Sequence, residues 1–157
     1  MRWVITGTNR GIGLELVRQL AERGDEVVAT ARDVARADAL RDLAERHTGR
    51  ATVRACDVRD DASVRAFAES LEGAPVDVLV NNAGVMGRLT SLEDLDLDDA
   101  MQTFDANALG PLRVSRALLP HLGRGARRCI VHISSGMGSI SDNTSGGAYA
   151  YRMAKAA

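Results

Sequence analysis

The residues best suited to chemistry gather near the end of the chain, in Ala148-Tyr149-Ala150-Tyr151-Arg152-Met153-Ala154-Lys155. If this stretch is helical, Tyr151 and Lys155 stand one above the other at i and i+4. A phenol ordinarily keeps its proton up to a pH of about 10. Each unit of depression takes about 1.4 kcal/mol, which a neighbouring ammonium supplies by stabilising the phenolate. Tyr149 has Met153 in the matching position and no such neighbour. An apolar run over 128–135 ends in the hydroxyls of Ser134 and Ser135, and a glycine-containing loop joins it to the tyrosines. At the other end of the chain, Val4-Ile5-Thr6-Gly7-Thr8-Asn9-Arg10-Gly11-Ile12-Gly13 passes from a β-type run through glycines into a helical stripe of Ile12, Leu16, Val17 and Leu20. Strand, glycine turn and helix in direct succession suit a pyrophosphate, because the turn lets the backbone approach and the first helical N–H groups face the anion.

The intervening sequence supplies elements able to hold these two ends together. Short apolar runs at 25–31, 51–58 and 76–81 alternate with helical patterns at 34–47, 60–71 and 97–121, which predicts an α/β fold with a parallel sheet. Ligands of such sheets lie beyond the carboxyl ends of the strands. Arg32 stands at the second of those ends. With Arg10 it suits a 2′-phosphate through forked hydrogen bonds, and the other reading is a surface strand end with Asp33 as its partner. Asp57 ends the third run, and Asn81-Asn82-Ala83-Gly84 leaves the fourth. Paired Asn side chains there can pin neighbouring backbone, while Ala-Gly leaves room for a flat ligand. Within the long helical pattern, Pro111 lacks the N–H that the Asn107 carbonyl needs, so a kink is predicted there.

Composition narrows the choice of function. The 157 residues fit one domain, 45% hydrophobic and 26% charged, as in an ordinary globular protein. A net charge of -1 and only five aromatic residues (one Trp, two Tyr, two Phe) argue against a nucleic-acid surface. No apolar run approaches the roughly 20 residues of a membrane span, so no membrane partner is expected and a cytoplasmic location is. Cys56 and Cys129 fall in strand patterns without metal-type spacing and are expected to be buried thiols.

Thr6-Gly7-x-x-x-Gly11-x-Gly13, Asn81-Asn82-Ala83-Gly84, Asn107-x-x-Gly110 and Tyr151-x-x-x-Lys155, in this order, resemble the short-chain dehydrogenase/reductase family. The resemblance implies a Rossmann-type, doubly wound parallel sheet in a single dinucleotide-binding domain over residues 1–157. It also implies further strands, a nicotinamide-side turn and a substrate loop beyond Ala157, so that residues 1–157 alone are expected to bind cofactor weakly and turn over little. The implied cofactor residues are Gly7, Asn9, Arg10, Gly11, Ile12, Gly13, Arg32, Asp57, Val58, Asn82, Ala83 and Gly84, with Tyr151 and Lys155. The implied catalytic residues are Asn107, Ser135, Tyr151 and Lys155, with no metal.

In the chemistry so implied, hydride passes to a small carbonyl substrate, or from an alcohol in reverse. Tyr151 gives the proton, Ser135 orients the carbonyl, Lys155 favours the tyrosinate, and the Asn107 carbonyl holds a relay water. Arg32 in place of an acidic residue favours NADPH over NADH. A homo-oligomer, dimer or tetramer, would use the 97–121 helix and the one beginning near Tyr151. Two departures stand out: the Ser135 to Tyr151 gap is longer than in most members, and Ala154 replaces the usual Ser. The Gly138-Ser139-Ile140-x-x-Asn143-x-x-Gly146-Gly147 run looks most like the branch of sniffer-type carbonyl reductases and bacterial C-factor proteins. A dinucleotide-binding regulatory or signalling protein without turnover, or an inactive fragment, is the alternative reading.

Overall fold

A computed structural model describes residues 1–157. Five strands, β1 (Arg2–Ile5), β2 (Glu26–Ala31), β3 (Ala51–Ala55), β4 (Val78–Asn81) and β5 (Cys129–His132), pair in parallel in the order β3-β2-β1-β4-β5. Helices α1 (Gly11–Glu22), α2 (Asp38–Arg46) and α3 (Asp61–Glu69) connect the first four strands, and α4 (Leu97–Phe104) and α5 (Gly110–Arg124) precede β5. Helix α6 (Tyr149–Ala156) follows it. No helix is long and apolar enough to cross a membrane.

The central strands β2, β1 and β4 are apolar on both faces because both faces are covered there. Successive side chains alternate, so Val4, Val28 and Leu79 point into one core with Val64, Phe67, Val114 and Leu118 of α3 and α5. Ile5, Val27, Ala29, Val78 and Val80 point the other way, onto Val17, Leu20, Leu40 and Leu43 of α1 and α2. This is the doubly wound sandwich the sequence predicts. Strand order reverses between β1 and β4, which opens a crevice at their carboxyl ends.

Local departures from the sequence expectation have identifiable causes. β3 stops at Ala55 because its neighbour β2 ends at Ala31, whose carbonyl accepts from Cys56 N at 3.0 Å; the next N–H, of Asp57, turns to Ser63 Oγ at 2.9 Å. α2 begins at Asp38, not near 34, because Asp33 accepts from Arg36 N and holds the segment in a turn. The kink expected at Pro111 is a π-helical turn over Asp105–Leu109, immediately before α5, in which Gly110 N donates to Asp105 O. Cys129 is exposed within residues 1–157, contrary to the expected burial, where β5 has only β4 beside it.

Asp77 locks the entry side of the sheet. Its Oδ2 accepts from Arg2 N at 2.8 Å and its Oδ1 from Ala126 N at 2.7 Å, tying the starts of β1, β4 and β5 to one carboxylate. The bond from Arg2 N, followed by that from Ala126 N, holds the carboxyl below the usual Asp range. A depressed folded pKa contributes stability that is full above the unfolded value and lost as pH falls through the folded one. Asp77→Ala should therefore lower stability at pH 7 by about 1–3 kcal/mol. Urea unfolding followed from pH 6 down to 2.5 should show a smaller loss for the variant than for the wild type.

Candidate active-site cleft

The crevice at the switch point widens into a cleft of about 900 Å³. One wall is the turn between β1 and α1. Gly7 and Gly11 adopt left-handed backbone, at φ +67° and +59°. A Cβ on Gly7 would lie 2.6 Å from Ala83 Cα, and one on Gly13 would lie 2.5 Å from both Asn82 Nδ2 and Gly7 O. Glycine is thus needed for close approach of two chain segments as well as for the turn. Asn82 Nδ2 donates to Thr6 O and Gly7 O, each at 2.9 Å, while Thr6 Oγ1 accepts from the N–H groups of Asn82 and Ala83 at 3.1 and 3.0 Å. Helix α1 has no acidic residue in its first turn, and its opening residues Gly11, Ile12 and Gly13 line the cleft. The chemistry of this end fits a dinucleotide phosphate.

Next to that turn lies a cationic corner. Arg10 and Arg32 are exposed, line the cleft and form no ion pair, so the pairing of Arg32 with Asp33 does not occur. Arg36 and Arg59 line the same corner. Burial would raise the pKa of Asp57, but hydrogen bonds from Arg59, with the charges of Arg59 and Arg32, hold it below the usual range. Cys56 also faces the cleft, where burial and the Asp57 charge push its thiol up to about 12. It stays protonated near neutral pH and is no nucleophile.

At the far end, Ser134 and Ser135 leave β5 and meet α6. Tyr151 and Lys155 share one face of the helix, as the i,i+4 spacing predicts, with the Lys155 ammonium 5.7 Å from the centre of the phenol ring. Lys155 Nζ donates to Ile133 O at 2.8 Å, and burial lowers its pKa. Ser135 Oγ accepts from Met137 N at 3.2 Å.

All the site residues anticipated from sequence line this one cleft, except Asn107. Asn107 sits behind the wall in the π-turn, where its Oδ1 accepts from Val85 N at 2.8 Å and its Nδ2 donates to Val85 O at 2.7 Å. The sequence points to its main chain; the structure shows its side chain fixing the irregular segment that follows Gly84. Sequence reasoning also passed over Arg36, Arg59 and the Thr6 hydroxyl. Their signals were legible: Arg36 four residues after Arg32, Arg59 two residues beyond Asp57, and a hydroxyl directly before the first glycine.

The family model for short chain dehydrogenase matches residues 2–157. The chain belongs to that family. C-signal of Myxococcus xanthus is 57% identical over 94 residues, covering 60% of this chain and 57% of that relative. The structure of NADPH-bound carbonyl reductase from chicken fatty liver superposes with a TM-score of 0.90 at 35% identity, covering 99% of this chain and 68% of that one. Carbonyl reductase Sniffer of D. melanogaster gives 0.91 at 29% identity, covering 99% and 69%. The chain spans 44% to 65% of the length of the curated relatives it matches.

Gly7 and Gly11 separate two reasons for glycine, since both are left-handed but nothing lies within 4 Å of a Cβ on Gly11. Gly11→Ala should cost about 1–2 kcal/mol from backbone conformation alone. Gly7→Ala should cost a further 1–3 kcal/mol, roughly, by overpacking against Ala83. Chemical denaturation of the two variants side by side measures the difference.

Proposed function

We propose that residues 1–157 form the dinucleotide-binding domain of an NADPH-dependent carbonyl reductase. The observation that carries this reading is that Ser135, Tyr151 and Lys155 line the same cleft as the glycine turn, with the cationic corner at its other end. A bound nicotinamide supplies the hydride. The chain's own residues manage position and the proton. Ser135 orients the carbonyl oxygen, and Tyr151 gives its phenolic proton to that oxygen as negative charge develops on it, leaving an alcohol. Lys155 favours that transfer by placing a cation beside the resulting phenolate. Asn107 serves the relay that returns a proton to the pair, from a position fixed by Val85.

Arg10 and Arg32 are proposed to hold the 2′-phosphate, since neither guanidinium is spent on a carboxylate. Asp57 and Val58 are proposed to meet the adenine. A homo-oligomer through α4, α5 and α6 is supported by Leu97, Met101, Leu112 and Leu119, all more than half exposed. A signalling protein is the second reading, favoured by the likeness to C-signal.

Arg32→Asp should weaken NADPH binding by about tenfold to a hundredfold, the worth of a charge-assisted hydrogen bond, and weaken NADH much less. Titration of both cofactors against wild type and variant checks this; equal wild-type affinities would refute it. Tyr151→Phe in the whole reductase that contains residues 1–157 should retain NADPH binding and lose most reduction of a probe such as 4-nitrobenzaldehyde, with Tyr149→Phe as the matched control. A whole protein containing residues 1–157 that binds NADPH but reduces none of a panel of aldehydes and ketones would favour the signalling reading.

A further inference from the structure

The loop between Ser135 and Tyr151 is long, exposed over much of its length and rich in glycine, yet it joins the two hydroxyls that the proposed reaction brings to the substrate oxygen. A single side chain gathers it. Arg152 Nε donates to Gly147 O at 3.1 Å and Gly146 O at 3.3 Å, Nη2 donates to Ser145 Oγ at 2.9 Å, and Nη1 donates to Met137 O at 3.4 Å. The last contact matters most. Met137 N donates to Ser135 Oγ, so Ser135 and Arg152 are joined through one residue, and Arg152 adjoins Tyr151 on α6. The turn itself packs onto the helix, since a Cβ on Gly138 would lie 2.6 Å from Lys155 O.

We propose that Arg152 is a positioning residue, which latches the 136–147 loop to α6 and so fixes the Ser135 hydroxyl relative to Tyr151. This rests on the reading of Ser135 and Tyr151 as the reacting pair. The guanidinium fork suits the task, because its planar donors reach carbonyls at both ends of the loop at once, whereas a lysine ammonium is a point donor on a flexible stem. Displacing a reacting group by about 1 Å can cost a hundredfold in rate, so loosening this link should appear in turnover and not in cofactor affinity.

The test uses the whole reductase of which residues 1–157 are the proposed dinucleotide-binding domain, with Arg152→Met, Arg152→Lys, Ser135→Ala and the Ser135→Ala/Arg152→Met pair. Read-outs are NADPH affinity, kcat for 4-nitrobenzaldehyde, and hydrogen exchange across 136–147. Arg152→Met should lower kcat by about tenfold to a hundredfold with NADPH affinity unchanged and exchange accelerated in the loop alone. Arg152→Lys should recover part of the rate. In the Ser135→Ala background the Arg152 change should cost little more, because both act through one hydroxyl. Multiplying losses in the double variant, a wild-type kcat in Arg152→Met, or NADPH affinity falling in step with kcat would each overturn the proposal. If the wild type reduces no carbonyl, the functional reading fails by itself; unchanged loop exchange in Arg152→Met would then overturn the latch independently.

Discussion

The site depends on one amide. Asn82 leaves β4 where the sheet order reverses and spends both hydrogens of Nδ2 on consecutive carbonyls, Thr6 O and Gly7 O, while Thr6 Oγ1 returns the contact by accepting from two N–H groups of the opposite strand exit. These carbonyls belong to a turn whose left-handed backbone has no helix or ladder to satisfy them. Joining β1 and β4 exits in this way leaves no space for a Cβ at Gly7 or Gly13. Phosphate cradle and strand crossing are therefore a single construction, and neither could be altered alone.

From that junction the cleft runs in two electrostatically different directions. Toward β2 and β3 it is open and cationic, with the Arg10 and Arg32 guanidiniums free to take an anion and Asp57 kept ionised by its neighbours. Toward β5 and α6 it is narrower in chemistry: one ammonium, partly withdrawn from water and anchored to Ile133 O, beside one phenol. Burial at Lys155 works against its charge. The hydrogen bond to a backbone carbonyl offsets this by satisfying a donor that water would otherwise serve.

Much of this was legible in the sequence because it rests on short-range rules. Glycine spacing, strand-exit positions and the i,i+4 relation of Tyr151 to Lys155 each need only a few residues to be read correctly, and the alternation of strand and helix patterns is enough to predict a parallel sheet. What escaped were properties that depend on a partner distant in the chain. β3 ends where β2 ends, a fact of ladder length invisible within 51–58. Cys129 is exposed where β5, within residues 1–157, pairs only with β4, and an apolar run does not declare its place in a sheet. Asn107 was located, but its side-chain partner Val85 lies 22 residues away and follows no pattern. Arg152 was passed over for a related reason, its acceptors being mostly loop carbonyls, which any residue type would provide.

The π-turn between α4 and α5 carries a consequence for how the long helical segment is phased. A turn closed by i to i+5 bonds takes up about one residue more than an α-turn, so the helix after it is offset in rotation from the helix before it. On the α5 side this brings Val114, Leu118 and Leu122 into the core and sets Gly110 against the Val58 side chain. On the turn itself it buries Asn107. Arg113 holds the setting like a key in a shaft, bonded to Asp105 at the start of the turn and to Val58 O beyond β3. Removing the extra residue would turn α5 by about 100°, the angular step of one helical residue, and rotate its apolar stripe off the sheet. The polar wedge at Asn107 and the seating of the core thus answer to the same inserted residue, and a lineage could keep or lose them only together.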